Sequence, residues 1–207
     1  MTSGGAAAAV VIPIRSFDAG KSRLGARLDP PRRADLLRAM AENVVAAAGP
    51  MPVAVVSGAA EVRRWAVALG LTVLDDPGTL NLAATAGLGW AAAVGFDRVV
   101  VAHADLPLAT SLAPVAADGR LPVVTAVPCH RDDGTPVLSL PTAATGFVFA
   151  YGPGSFRRHA AAARAAGLAF RVRRDGRLGR DVDAPEDLLG LPLPLSGTGR
   201  LRALLGA

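Results

Sequence analysis

The chain has 207 residues and a formal net charge of +5, with 51% hydrophobic but only 4% aromatic residues, which suits a single domain with a core of Ala, Val and Leu. Its single cysteine, Cys129, excludes an internal disulfide and favours a reducing compartment, so we expect a cytoplasmic protein. The scattered arginines are not interleaved with aromatic residues, and the apolar stretch from Ala6 to Ile14 is too short to span a bilayer, which argues against nucleic acid and membrane as partners.

The first half of the chain alternates between apolar strand patterns and helical patterns. Strands are predicted at residues 8–14, 52–56, 71–74 and 98–102, and helices at 30–48, 61–69 and 80–94. Pro30 and Pro31 suit the first turn of a helix, because proline lacks the N–H that this turn leaves unpaired. Strands that alternate with helices through short connections predict a parallel sheet covered by helices on both faces.

After residue 102 this alternation changes. Short strands are predicted at 121–127, 137–140, 146–150 and 169–172, with helices at 155–166 and from Pro185 onward. The short strands between residues 121 and 150 predict a small antiparallel insertion or edge. We find no repeat and no linker long enough to divide the chain, so the prediction is one α/β domain over residues 1–207, with a core at about 8–190 and a peripheral tail at 191–207.

Lys21 is the only lysine among the 22 lysine and arginine residues, and it follows the first predicted strand in a loop with Gly20. Lysine offers a compact point charge that the planar guanidinium of arginine does not replace. The Gly20-Lys21-Ser22 run resembles a P-loop, but Arg15 stands where that motif requires its first glycine. Arg15, Lys21 and Arg23 could instead neutralise the charge of a triphosphate. The alternative is an ordinary basic surface loop.

Asp105, Asp181 and Asp183 are the candidate metal ligands. Asp105 lies just after a predicted strand, where open α/β sheets bind ligands, and Asp181 and Asp183 form an Asp-x-Asp pair. Magnesium takes one or two carboxylates together with substrate phosphates, so these residues supply enough ligands for Mg2+. Two alternatives stay open. Asp105 could cap a helix begun by Pro107, and Asp183 could cap the last helix, with Glu186 at its third position.

A second candidate anion site is the segment Tyr151-Gly-Pro-Gly-Ser155. A glycine-rich turn that runs into a helix presents unpaired backbone N–H groups and the positive end of the helix dipole to an anion, and Ser155 adds a hydroxyl donor. Gly152, Gly154 and Ser155, together with Thr135, could therefore hold a phosphate. The alternative is a tight turn followed by a helix that Ser155 caps. Two anion sites with acidic metal ligands between them predict phosphoryl or nucleotidyl transfer between two phosphorylated substrates.

Other chemistries find little support in the remaining polar residues. His103, His130 and His159 lack the spacing of a metal site. His103, beside Asp105, could touch the site, but the sequence favours a structural or solvent-facing role for it. The sequence contains no nucleophile elbow and no Ser-His-Asp order, which gives a hydrolase little support.

Six segments carry a family resemblance that extends from about Ala8 to Leu189. They are Ala19-Gly-Lys21-Ser-Arg23-Leu24, Leu80-Asn81-x-Ala83, Asp105-Leu-Pro-Leu108, Gly134-Thr135, Tyr151-Gly-Pro-Gly-Ser155-Phe-x-x-His159 and Asp181-Val-Asp183-x-Pro-Glu-Asp187. In this combination and order they resemble the 2-phospholactate guanylyltransferase family, a branch of the molybdopterin-guanylyltransferase-like nucleotidyltransferases. The resemblance implies a Rossmann-like, GT-A-like nucleotidyltransferase fold with a mostly parallel central sheet.

The same resemblance implies transfer of GMP from GTP to the phosphate of a small phospho-acid, with release of pyrophosphate, in the biosynthesis of coenzyme F-420. It implies Lys21 and Asp105 as catalytic residues and Mg2+ as the cofactor, held by Asp105, Asp181 and Asp183. It also implies that Asn81 contacts the nucleotide together with Arg15, Lys21 and Arg23, and that Thr135, Gly152, Gly154 and Ser155 receive the phospho-acid.

Two departures from the family pattern concern the substrates. Pro136 stands where asparagine is common, which removes an amide near the acceptor, and Arg15 stands where lysine is usual. The acceptor therefore stays open among phosphoenolpyruvate, 2-phospho-L-lactate and 3-phosphoglycerate. For a chain whose arginine-rich composition is typical of a GC-rich genome, the resemblance to the family implies phosphoenolpyruvate as the favoured acceptor. The alternatives are another molybdopterin-guanylyltransferase-like nucleotidyltransferase with a different acceptor and a non-catalytic nucleotide-binding relative. The sequence leaves a homodimer open.

Overall fold

Strands and helices follow one another largely as the apolar pattern predicts. The structure is a computed structural model, and it describes residues 8–189 and residue 191. The strands are β1 (Ala8–Pro13), β2 (Val53–Val56), β3 (Thr72–Leu74), β4 (Arg98–Ala102), β5 (Val123–Val127), β6 (Val137–Pro141) and β7 (Ala169–Val172). The helices are α1 (Pro30–Ala47), α2 (Ala60–Ala68), α3 (Leu80–Val94), α4 (Ala113–Ala116), α5 (Ser155–Ala165) and α6 (Pro185–Leu189), with a short 3-10 helix at Ser22–Ala26. The sequence pattern does not predict α4 or the 3-10 helix.

The seven strands form one sheet in the order β3-β2-β1-β4-β6-β5-β7. All neighbouring strands are parallel except at β6, which runs antiparallel to both β4 and β5. The predicted α/β fold with a mostly parallel sheet is confirmed, and its antiparallel strand lies inside the sheet. Val137 at the start of β6 pairs with Ala102 at the end of β4 and with Val127 at the end of β5. The loop that follows β4 and the loop that connects β5 to β6 therefore meet at one edge.

Helices cover both faces of the sheet, because alternate strand residues point to opposite sides. Val10 and Ile12 of β1 belong to the core cluster that contains buried residues of α1, whereas Ala9 and Val11 belong to the cluster that contains those of α3. The contact between β1 and α3 is close, since a Cβ atom on Gly87 would lie 2.4 Å from Cγ1 of Val11. A glycine at this position therefore lets α3 approach the sheet.

The strand predicted at 146–150 is wrong. Its side chains alternate as in a strand, with Phe147 and Phe149 buried and the residue between them exposed. Within the described chain, however, the segment joins no sheet. Instead, the backbone N–H of Ala150 donates to Nε2 of His159 at 3.0 Å. The side chain of His159 in α5 thus accepts a backbone hydrogen bond that a neighbouring strand would accept in a sheet.

The extent of the described chain bears on two predictions. The predicted tail at 191–207 lies outside the described residues except for Leu191, which is buried. Within residues 8–189, no helix combines the length and the apolar character that crossing a membrane requires.

Candidate active site

A cleft of about 990 Å³ opens at the edge of the sheet where β1, β2 and β4 end. Open α/β sheets bind ligands at this edge, outside the carboxyl ends of their strands. Residues between 13 and 21 form one wall, residues between 76 and 83 form another, and residues 103–105 contribute with Asp181 and Asp183. The cleft therefore brings together the lysine loop, Asp105 and the Asp-x-Asp pair, as the sequence predicts.

Lys21 lies between two of the predicted metal ligands. Its backbone is left-handed, with φ of 50°, where the loop turns into the 3-10 helix. Its Nζ donates to Oδ2 of Asp105 and to Oδ1 of Asp183. Burial acts to lower the pKa of Lys21, but the charge of Asp105 and the hydrogen bonds to both carboxylates outweigh burial and raise that pKa. Lys21 therefore stays charged in the cleft.

Asp105 is held at the end of β4 by its backbone as well as by Lys21. Its carbonyl oxygen accepts the backbone N–H of Val182 at 3.1 Å, which brings the Asp-x-Asp segment alongside. In the described chain no helix starts at Pro107, so the alternative in which Asp105 caps one is excluded. Its second carboxylate oxygen, Oδ1, is buried and has no hydrogen-bond partner among residues 8–189. This oxygen is therefore available to accept a hydrogen bond from water or to bind a cation.

The two aspartates of the Asp-x-Asp pair differ in their electrostatics. Burial raises the pKa of Asp181, and the negative charges of Asp105 and Asp183 raise it further. Burial acts in the same direction on Asp183, but the hydrogen bond and charge of Lys21 outweigh burial and lower that pKa. Oδ1 of Asp181 is buried and makes no hydrogen bond to the described residues, although Nδ1 of His130 lies 3.5 Å away. A cation here would relieve the repulsion among the three carboxylates.

The residue that caps α6 is Asp187, a role that the sequence analysis did not assign. Its Oδ2 accepts the backbone N–H groups of Asp183 and Ala184 at 2.8 and 2.9 Å, and its Oδ1 accepts from Nη2 of Arg131 at 2.6 Å. The helix begins one residue later than a cap at Asp183 requires, so Asp187, rather than Glu186, is at the third helical position. The alternative in which Asp183 caps is thus excluded, and its carboxylate contacts Lys21 instead.

The carboxylates suit a divalent cation that arrives with a phosphate ligand. Across residues 8–189, no group of three or more histidine, cysteine or acidic side chains is arranged to hold a metal ion, and the ammonium of Lys21 lies between Asp105 and Asp183. Mg2+ usually takes only one or two protein carboxylates beside water and phosphate oxygens. The unpaired buried oxygens of Asp105 and Asp181 fit that requirement better than they fit a cage formed by protein alone.

The other predicted nucleotide-binding residues differ in position. Arg15 is exposed and lines the cleft. Arg23 is exposed on the 3-10 helix, and the described residues that line the cleft include neither Arg23 nor Asn81. Oδ1 of Asn81, in the first turn of α3, accepts the backbone N–H of Tyr151 at 2.6 Å. Asn81 therefore links the start of α3 to the glycine-rich turn that follows Tyr151.

The four predicted phospho-acid residues lie close to one another, outside the lining of the cleft as far as residues 8–189 define it. Oγ1 of Thr135 is 3.3 Å from Oγ of Ser155, and both side chains are buried. Gly152 and Gly154 have φ of 107° and 70°, a conformation that glycine adopts without strain and that makes the turn into α5. The structure thus groups these residues at the start of α5.

Three backbone N–H groups at the start of α5 already have partners. Gly154 donates to Oδ1 of Asp133 at 2.9 Å, Phe156 donates to the carbonyl of Asp133 at 3.0 Å, and Ser155 donates to the carbonyl of Gly152 at 3.0 Å. The prediction that this turn offers unpaired amides to an anion is wrong for these groups. Gly154, not Ser155, is the N-cap residue, so the Ser155 hydroxyl is not used as a cap.

His103 and Tyr151 connect the cleft with the start of α5. His103 lines the cleft, a position that the sequence left open for it, and its ring lies 5.5 Å from that of Tyr151. The Tyr151 ring is in turn 4.7 Å from that of His159. Nε2 of His103 and Oη of Tyr151 are buried, and neither makes a hydrogen bond within the described part of the chain. The sequence did not single out Tyr151 for this position.

The chain is similar to known proteins in sequence and in fold. The sequence matches the family described as "Guanylyl transferase CofC like" over residues 8–202. It is 38% identical to a phosphoenolpyruvate guanylyltransferase of Rubrobacter xylanophilus (87% of this chain, 91% of the relative) and 32% identical to a 2-phospho-L-lactate guanylyltransferase of Methanothermobacter thermautotrophicus (91% and 85%). A solved structure from Desulfovibrio desulfuricans G20, described as a nucleotide-diphospho-sugar transferase, shares the fold with a TM-score of 0.77 at 17% identity (96% and 94% covered). The chain therefore belongs to the CofC-like guanylyltransferase family.

Proposed function

We propose that the protein transfers GMP from GTP to the phosphate of a small phospho-acid, releasing pyrophosphate, in coenzyme F-420 biosynthesis. The observation that carries this proposal is the charged Lys21 held between Asp105 and Asp183 where the parallel strands end. Membership of a guanylyltransferase family supports the reaction class. The position of the cleft beyond the strand ends supports nucleotide binding there.

The reaction needs charge neutralisation more than activation of the attacking group, because the phosphate oxygen of the acceptor is already an anion. This oxygen forms a bond to the α-phosphorus of GTP while the bond from that phosphorus to the leaving pyrophosphate breaks. The rotatable ammonium of Lys21 can follow the negative charge onto the leaving group without losing its proton. Arg15 adds positive charge at the rim of the cleft.

We further propose that Asp105, Asp181 and Asp183 hold Mg2+ when the triphosphate is bound. A divalent cation in this place would neutralise charge on the phosphate oxygens. The buried oxygens of Asp105 and Asp181 that lack hydrogen bonds to the described residues support this assignment. The ammonium of Lys21 pairs with Asp105 and Asp183, so on binding of the triphosphate it would turn to the phosphate oxygens while the cation takes its place beside these acids.

Thr135, Gly152, Gly154 and Ser155 are the residues that we assign to the phospho-acid, with phosphoenolpyruvate as the favoured acceptor. The higher identity to a phosphoenolpyruvate guanylyltransferase than to a 2-phospho-L-lactate guanylyltransferase supports this preference. The departure at Pro136 lies beside this group. Pro136 is buried, and its carbonyl accepts the backbone N–H of His103 at 2.8 Å, so it still ties β6 to the wall of the cleft.

The test is pyrophosphate release by the purified chain with Mg2+ and GTP, offering phosphoenolpyruvate, 2-phospho-L-lactate and 3-phosphoglycerate in turn. Release that depends on one acceptor and disappears in Asp105→Asn is the expected result. Replacing GTP by ATP or CTP tests the base. Binding of GTP without release with any acceptor would contradict the proposal and favour the non-catalytic relative.

A further inference from the structure

His159 lies in α5 and is not among the residues assigned to either substrate. It nevertheless contacts Thr135, one of the four residues assigned to the phospho-acid. Its side chain is fully buried. Nε2 is 3.0 Å from the backbone nitrogen of Ala150, and Nδ1 is 3.1 Å from Oγ1 of Thr135. Both ring nitrogens are therefore hydrogen-bonded, on opposite sides of the ring.

The contact with Ala150 determines which ring nitrogen of His159 carries the proton. A backbone N–H can only donate, so Nε2 must accept and cannot be protonated. In a neutral imidazole the proton then lies on Nδ1, which donates to Oγ1 of Thr135. Burial lowers the pKa of His159 to about 4, and the charges of Arg158 and His103 act in the same direction, so the ring is neutral near pH 7.

The hydrogen bond from His159 to Thr135 also determines which hydroxyl donates in the next contact, between Thr135 and Ser155. Because Oγ1 of Thr135 accepts from His159, its own hydrogen must find another acceptor, and Oγ of Ser155 lies 3.3 Å away. The described chain offers that hydroxyl no other acceptor. Ser155 then accepts from Thr135 and keeps its own O–H unpaired with any residue from 8 to 189. Chains of hydrogen bonds that run one way polarise one another, which strengthens the last donor.

We propose that His159 is a positioning residue that orients a one-way relay, from His159 through Thr135 to Ser155, so that the Ser155 hydroxyl donates to an anionic oxygen of the phospho-acid. The identity of this ligand rests on the proposed function. A carboxylate or phosphate oxygen only accepts hydrogen bonds and so matches this donor. The relay thus selects for an ionised acid group and against a ligand hydroxyl that must itself donate at this point.

The proton position can be measured without any turnover. In protein labelled with 15N-histidine, long-range proton–nitrogen NMR spectra distinguish the two neutral tautomers from the charged ring, and His159→Asn identifies the signals of His159. We expect a neutral ring protonated on Nδ1 at pH 7. A ring protonated on Nε2, or one charged at this pH, would overturn the relay.

The kinetic test compares His159→Phe, which keeps an aromatic ring but has no donor, with His159→Asn, whose amide nitrogen can take the place of Nδ1. We expect His159→Phe to raise the KM of the phospho-acid about tenfold, the size of one lost hydrogen bond of roughly 1.4 kcal/mol, with the KM of GTP unchanged. His159→Asn should restore most of the affinity. In the Ser155→Ala background, His159→Phe should have little further effect on this KM.

Two other results would reject the relay. One is an equal loss for both substrates in His159→Phe. The other is an undiminished effect of that substitution in Ser155→Ala. Either would reduce His159 to a packing role. If His159→Phe does not fold, the same comparison can be made at Thr135. Thr135→Val removes the hydroxyl that passes the hydrogen bond to Ser155, whereas Thr135→Ser keeps it. Failure of the wild type to release pyrophosphate with any phospho-acid would refute the proposed function instead, while the NMR result still decides the relay.

Discussion

The carboxylate of Asp187 accepts the backbone N–H of Asp183 at 2.8 Å, so that one buried acid fixes the segment that carries another. Its second oxygen accepts from Arg131 at 2.6 Å, which ties this segment to the loop after β5. The carboxylate of Asp183 is left to contact Lys21. Asp187 therefore acts on the cleft through the backbone of Asp183.

Asp187→Ala tests this role. Loss of the carboxylate leaves the N–H groups of Asp183 and Ala184 without their acceptor and should cost about 2 kcal/mol of stability. Because residues that orient metal ligands usually change metal affinity by about 10- to 100-fold, we expect half-maximal turnover to require at least about tenfold more Mg2+. A Mg2+ titration of pyrophosphate release measures this shift. The exposed neighbour Glu186→Ala is the control, and an unchanged Mg2+ requirement in Asp187→Ala would contradict the assignment.

Lys21 should not tolerate replacement by arginine. We expect Lys21→Met to lower kcat by at least about 100-fold, since a group that neutralises charge in the transition state is lost. Lys21→Arg should also lose most activity, because a planar fork does not replace a compact ammonium between two carboxylates. Arg27→Met, at an exposed arginine just after the 3-10 helix, serves as the control. Full turnover in Lys21→Arg would show that positive charge alone is sufficient.

The buried neutral state of His159 makes stability depend on pH. The unfolded chain binds this proton below about pH 6.5, whereas the folded chain binds it only near pH 4. The contribution is therefore complete above about pH 6.5 and is lost as the pH falls toward 4, by about 3 kcal/mol. Unfolding free energies of the wild type and His159→Phe, measured between pH 4 and 7, isolate this contribution. Parallel curves for the two proteins would refute it.

Gly87 and Gly89 lie on the same helix, α3, but we expect substitution by alanine to have opposite effects on stability at the two positions. A Cβ atom on Gly87 would collide with Val11, so Gly87→Ala should destabilise the fold by about 1–3 kcal/mol. Apart from the neighbouring backbone of α3 itself, no atom of the described residues lies within 4 Å of a Cβ on Gly89. Alanine is favoured over glycine in a helix, so Gly89→Ala should stabilise by about 0.5–1 kcal/mol. Denaturant unfolding compares the two variants. The same sign for both would argue against the close approach of α3 to β1.

Sequence patterns predicted which elements meet at the cleft because the strands they follow are neighbours. Lys21 follows β1 and Asp105 follows β4, and these two strands pair in parallel. Parallel strands end at the same edge of a sheet, so their loops converge. The functions of Asp133 and Asp187 could not be predicted in this way. Each depends on the residue at which a helix begins, and a difference of one residue changes which acid reaches the free amides.

The segment 146–150 shows a different limit. Alternation of buried and exposed side chains predicts the direction in which they point, but it does not predict what pairs with the backbone. At the end of this segment the partners are side chains: the N–H of Ala150 donates to His159, and the N–H of the next residue, Tyr151, donates to Asn81. Such contacts between distant positions leave no periodic signal in the sequence.

The reversed direction of β6 has a consequence for how this architecture could change its acceptor. Because β6 starts at the edge where β4 and β5 end, the single stretch 128–155 supplies both Thr135 and the turn before α5. The lysine loop and Asp105 belong to the preceding β1–β4 half of the chain. If the phospho-acid binds where we propose, we expect substitutions confined to 128–155 to exchange one phospho-acid for another while the residues proposed to bind the nucleotide stay unaltered.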